Sequence, residues 1–102
     1  FSDEDLFAFC QVNPDLRIER DENGFLIIMP PAGLESSFRN SDLTTDVNLW
    51  NRKTGLGRVS DSNGGYTLPD TSMKAPDVAW VSHERLAAVA PDDLKRFAHV
   101  CP

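Results

Sequence analysis

The chain has 102 residues, 40% hydrophobic and 25% charged, the size and balance of one small globular domain. Ten basic against sixteen acidic residues give a net charge of −6, which argues against a tight, metal-free DNA binder but less against a nuclease whose acids are offset by bound cations. No apolar run approaches the ~18 residues that span a bilayer, and Phe1-Ser2-Asp3-Glu4-Asp5 carries no secretory signal, so the expectation is a cytoplasmic protein without a membrane partner.

Ser2-x-x-Asp5 has the form of a capping box and predicts a short helix over 3–12, stopped by Pro14. Leu16 and Ile18 alternate with Arg17 and Glu19, the period of a half-exposed strand. Asp21-Glu22-Asn23-Gly24 supplies a turn, and Phe25–Met29, apolar throughout, reads as a returning strand covered on both faces. From Leu34 to Thr54 the pattern is helical, with Ser36, Asn40, Leu43, Val47 and Trp50 on one stripe expected to lie on a sheet, and Gly55 as the C-terminal cap. Gly57–Ser60, Tyr66–Leu68 and Asp77–Val81 read as strands. Ser82 caps a short helix through Val89, and Pro91 opens another through Phe97. Trp50 and Trp80 are expected in the core.

Most chemical motifs are absent. Cys10 and Cys101 lie too far apart for a Cys-x-x-Cys site and read as reduced, partly buried thiols. His83 and His99 have no metal-ligand spacing to another His or Cys. Gly55-x-Gly57 lacks the third glycine of a dinucleotide fingerprint, and no Gly-x-Ser-x-Gly elbow occurs. What remains is Lys74-Ala75-Pro76-Asp77 running into Val78-Ala79-Trp80-Val81: an acid at the mouth of an apolar strand, suited to capping the strand or to holding a cation.

Leu16–Arg20, Asn23-Gly24 and Phe25–Pro31, then Gly55–Val59, Gly65–Pro69 and Ala75–Val81, follow one another in an order that resembles the Uma2 family, part of the PD-(D/E)XK restriction-endonuclease-like superfamily. The resemblance covers essentially the whole chain. It implies a single α/β domain, a mixed and largely antiparallel sheet flanked by helices. It also implies a Mg²⁺-dependent endonuclease acting on DNA, with a homodimer left open. Asp77 matches the first metal-binding acid of the superfamily. Glu19 stands where the family carries an early acid, so both are assigned catalytic and metal-binding roles. Arg39 and Asn40 are assigned to substrate binding, although many relatives carry a His near this point and this chain has Ser36-Ser37-Phe38-Arg39-Asn40. The family continues past this point into a Glu-bearing central strand, so the resemblance implies a domain cut short before its last core strands, its catalytic set incomplete. The rival readings are a non-catalytic protein- or nucleic-acid-interaction module on the same scaffold, and a structural domain in which Asp77 is only a cap.

Overall fold

The computed structural model describes residues 1–102. Helix α1 spans Asp3–Val12, and the Ser2 hydroxyl accepts the Asp5 amide at 3.1 Å as its cap. Asp3, Glu4 and Asp5 place negative charge at its N-terminal end, where the helix dipole favours it. Strands β1 (Arg17–Arg20) and β2 (Leu26–Met29) form the expected antiparallel hairpin, with Arg17 opposite Met29 and Arg20 opposite Leu26. Its turn needs Gly24, which sits at φ 86°, and Asp21 secures it by accepting the Asn23 and Phe25 amides.

The rest of the chain builds two antiparallel sheets rather than one. Helix α2 spans Leu34–Thr54 and ends at Gly55, whose φ of 68° is the left-handed cap geometry. Strand β3 (Gly57–Ser60) pairs with β6 (Ala79–Ser82) in a two-stranded ribbon. Strands β4 (Tyr66–Thr67) and β5 (Met73–Lys74) extend the hairpin into a four-stranded sheet of order β2-β1-β5-β4. Ser82 caps α3 (His83–Leu86), which ends before Val89, and the helix expected from Pro91 is a single 3₁₀ turn at Asp93–Lys95. Beyond it the chain lies parallel beside β4, where the Thr67 amide donates to the Ala98 carbonyl at 2.9 Å. The α/β class, with antiparallel sheets flanked by helices, is as the sequence predicts and is consistent with a restriction-endonuclease-like fold.

The core is thin and divided. Leu6, Ile18 and Met73 form one buried cluster, joining α1 to the larger sheet. Tyr66, Ala79 and Val81 form another, between the sheets. Fully burying a side chain such as Leu6 or Met73 contributes about 1.5–3 kcal/mol. Two expectations fail here. Strand β2 is an edge strand, and Phe25, Ile27 and Ile28 are exposed rather than covered on both faces. Helix α2 buries no residue; its half-buried line is Asn40, Thr44, Val47, Asn48 and Asn51, leaving Leu43 exposed. The helix rests on the β3–β6 ribbon through Trp50, edge-on to Trp80 with ring centroids 5.4 Å apart, and through Asn51, which accepts the Trp80 indole N–H at 3.0 Å. Both tryptophans therefore work at a half-open seam instead of a core. Gly57 makes the seam possible, since a Cβ there would collide with the Trp80 ring and the Val81 carbonyl. Cys10 is half-buried and Cys101 exposed, both as free thiols.

One ionic contact ties the larger sheet to both ends of the chain. Arg20 is 4% exposed. Its guanidinium donates to Asp3 at 2.7 Å, to the Phe1 carbonyl at 3.2 Å and to the Thr71 carbonyl at 3.0 Å, and Asp3 also meets His99 at 2.8 Å. These donors hold the Asp3 carboxyl below its usual range, Arg20 contributing most. A carboxylate with a depressed folded pKa stabilises the fold fully above its unfolded value of 3.8, and that contribution is lost as pH falls through the lower folded pKa. Asp3→Asn is expected to cost about 1–2 kcal/mol at neutral pH, reduced by the partial exposure of Asp3, and to flatten the acid limb of the stability curve. Arg20→Ala is expected to cost about 3 kcal/mol. Urea denaturation of the unaltered chain and the Asp3→Asn chain between neutral and acid pH checks both the size and the sign.

Candidate active site

Strand β1 presents its side chains alternately, Ile18 and Arg20 inward, Arg17 and Glu19 to the other face. That outward pair grips the segment following β5. Glu19 Oε2 accepts the Ala75 amide at 2.8 Å, while Arg17 Nη2 donates to the Ala75 carbonyl at 3.3 Å and to Asp77 Oδ1 at 3.2 Å. Pro76 lies between these contacts and cannot donate a backbone N–H of its own. Asp77 therefore sits in a bend two residues ahead of β6, not in the strand, and is fixed by side chains from the neighbouring sheet. Its side chain is 48% exposed and only Oδ1 is engaged.

Asp77 opens onto a polar cleft of about 510 Å³. Arg17, Asn40, Ser41 and Thr44 line it together with Asp77, and Asp15 and Asp61 bring two further carboxylates. The structure thus brings Asn40 and Asp77 into one site. Glu19 stands beside it against Ala75 and does not line it. Arg39, one residue beyond Asn40, is paired with Glu35 at 2.8 Å on the exposed side of α2 and also lies outside. Sequence reasoning missed Arg17 as a site residue, although its i, i+2 spacing from Glu19 already placed both on one strand face. Asp15 and Asp61 come from turns, where nothing local signals the cleft.

Electrostatics favour a cation here. Three carboxylates line the cleft against the single guanidinium of Arg17, so a phosphate entering it would meet excess negative charge. No group of three or more His, Cys, Asp or Glu side chains stands close enough to cage a metal ion. Mg²⁺, however, keeps several waters and is commonly held through only one or two carboxylates plus substrate phosphate. Asp77 Oδ2 carries no hydrogen bond; Glu19 Oε1 carries none either but stands outside the cleft.

A family model described as Uma2, "Putative restriction endonuclease", matches residues 3–102. The chain belongs to the Uma2 family. No curated protein matches it. Membership in Uma2 points to nuclease chemistry, to DNA as substrate or partner, and to a divalent metal in general.

The Arg17–Asp77 pair is half-exposed, so it positions Asp77 more than it stabilises the fold. Arg17→Met is expected to change stability by no more than about 1 kcal/mol while loosening Asp77. Thermal melting paired with carboxyl-directed NMR of Asp77 checks this. A melting loss on the scale of a core mutation would show the pair to be structural instead.

Proposed function

We propose that the chain carries the Asp77 part of a Mg²⁺-dependent endonuclease site that hydrolyses DNA phosphodiester bonds. One observation supports this above the others: Asp77 is anchored through one oxygen at the mouth of an acid-rich cleft and leaves its second oxygen free. In this reading Asp77 holds the cation at the cleft, and Glu19, which does not line the cleft, would join it only from beside. When bound, it supplies charge neutralisation at the phosphate and activation of the attacking water. The chain's own groups set the geometry. Arg17 fixes the Asp77 carboxylate through Oδ1, and Glu19 holds the peptide plane ahead of Pro76 through the Ala75 amide. Asn40 and Ser41 offer neutral donors along the α2 wall, able to hold phosphate oxygens without adding charge, while the Thr44 hydroxyl already donates to the Asn40 carbonyl. In this reading Arg39, outside the cleft and paired with Glu35, would contact only a more distant phosphate.

A second reading draws on Arg17 itself. A guanidinium already bound to Asp77 competes with any cation, which favours a non-catalytic nucleic-acid- or protein-interaction module on the same scaffold.

Cleavage assays separate the two. Asp77→Asn conserves size but removes the charge that would hold the cation, so in a protein that carries the complete catalytic set it is expected to abolish Mg²⁺-stimulated cleavage of plasmid DNA with an unchanged circular dichroism spectrum. Glu19→Gln keeps an oxygen for the Ala75 amide and is expected to lower activity less. Calorimetry is expected to show Mg²⁺ binding that Asp77→Asn removes. Mg²⁺ binding unaffected by Asp77→Asn, or cleavage that persists in that variant, would end the nuclease assignment of this residue; absence of Mg²⁺ binding in the unaltered chain would support the interaction module.

A further inference from the structure

A larger cleft, about 610 Å³, lies on the other side of the Asp61–Gly65 loop from Asp77, and the two clefts share no lining residue. Its charge runs against the rest of the molecule. The chain has sixteen acidic and ten basic residues, yet no Asp or Glu lines this cleft while Arg58, Lys95 and Arg96 do. No salt bridge occupies Arg58 or Arg96, and Lys95 meets Asp92 only at 3.7 Å between exposed side chains.

Beneath these cations the walls are apolar and aromatic. Phe97 stands edge-on to Phe7 with centroids 5.2 Å apart, and Tyr66 and Val81 belong to the buried cluster between the sheets. Gly65 lets the Phe97 ring lie against the backbone, since a Cβ there would collide with it. The Ser60 and Tyr66 hydroxyls, hydrogen-bonded to each other, and Asn63 add a few polar groups inside. Cavities of this size with an apolar lining and few convergent polar groups suit small ligands. Unpaired guanidinium groups at the rim suit a phosphate. A flat body with ring heteroatoms would use the apolar walls and the hydroxyls together, whereas inorganic phosphate would use neither.

We propose that this cleft binds a nucleoside phosphate, with the phosphate at Arg58 and Arg96 and the base against Phe97 and Tyr66. The nucleotide is either free or the terminal unit of a nucleic-acid strand. The site needs neither a metal nor Asp77, so it stands or falls apart from the cleavage reading.

The test is an NMR titration of the ¹⁵N-labelled chain in EDTA with adenosine 5′-monophosphate, a 5′-phosphorylated thymidine hexamer, and inorganic phosphate. The nucleotide is expected to shift the Gly64, Gly65, Phe97 and Ala98 amides and to bind at least about tenfold more tightly than inorganic phosphate. Arg58→Ala and Arg96→Ala, both at exposed positions, are each expected to weaken it about fivefold or more, with well-dispersed spectra confirming that they fold. Asp77→Asn is expected to bind as the unaltered chain does. Tighter binding of the hexamer than of the mononucleotide assigns the site to a strand end; equal or weaker binding assigns it to the free nucleotide. The proposal is overturned if the nucleotide binds no better than phosphate, if its shifts centre on the Asp77 cleft, or if the Arg58→Ala/Arg96→Ala double variant binds it undiminished.

Discussion

Both the fold and the candidate site depend on the two-sided grip of β1. Its inward face sends Ile18 into the core cluster with Leu6 and Met73, and Arg20 to Asp3, Phe1 and Thr71, so these contacts tie α1, the hairpin and the turn before β5 together. Its outward face sends Glu19 and Arg17 to the Ala75 peptide and Asp77. Strand alternation alone puts these jobs on opposite sides. The consequence is that Asp77 is positioned by a strand with two buried side chains even though it lies in a bend of its own. An ionised guanidinium as sequestered as that of Arg20 is tolerated only because each of its interactions is met.

The thin core gives this grip its weight. Two small clusters and no buried residue on the 21-residue α2 mean that packing alone fixes little of the relative placement of the two sheets. Polar contacts carry the difference: the Trp80 indole to Asn51 between ribbon and helix, Thr67 to the carbonyls of Phe97 and Ala98, and Ser60 to Tyr66 between the sheets. The larger cleft lies along the Ser60–Tyr66 and Phe97–Ala98 contacts and the Asp77 cleft on the other side of the Asp61–Gly65 loop, with opposite charge character. One is acidic and offers a carboxylate oxygen; the other is basic with an aromatic lining.

Much of the local structure was legible in the sequence because it rests on single residues with one strong preference. Ser2, Ser82, Gly24 and Gly55 each do what their chemistry dictates, and the bounds of α1 and α2 agree with the predicted ones. The face of α2 was not legible. Leu34, Phe38 and Leu49 lie along one side, Leu43 and Trp50 along another, and the half-buried line runs between them through Asn40, Thr44 and Asn51, so periodicity could not choose it. Strand β5 was invisible for a different reason: it is two residues long and follows Thr71, held at φ 71°, a conformation rare for a β-branched residue and imposed here by the surrounding turn. Of the residues that the sequence singled out, Asp77 and Asn40 share a cleft. Arg17, Asp15 and Asp61 join them only through tertiary structure, and tertiary structure leaves Glu19 and Arg39 outside.

The claim that Glu19 and Arg17 place the Asp77 segment is tested most directly by hydrogen exchange at the Ala75 amide. That N–H is expected to be protected in the unaltered chain and in Glu19→Gln, which retains an accepting oxygen. In Glu19→Ala its exchange is expected to rise about tenfold or more, the loss of one charge-assisted hydrogen bond, while the Ile18 and Met73 amides keep their protection. Unchanged protection of Ala75 in Glu19→Ala would contradict the account, because the segment carrying Asp77 would then be held by something other than β1.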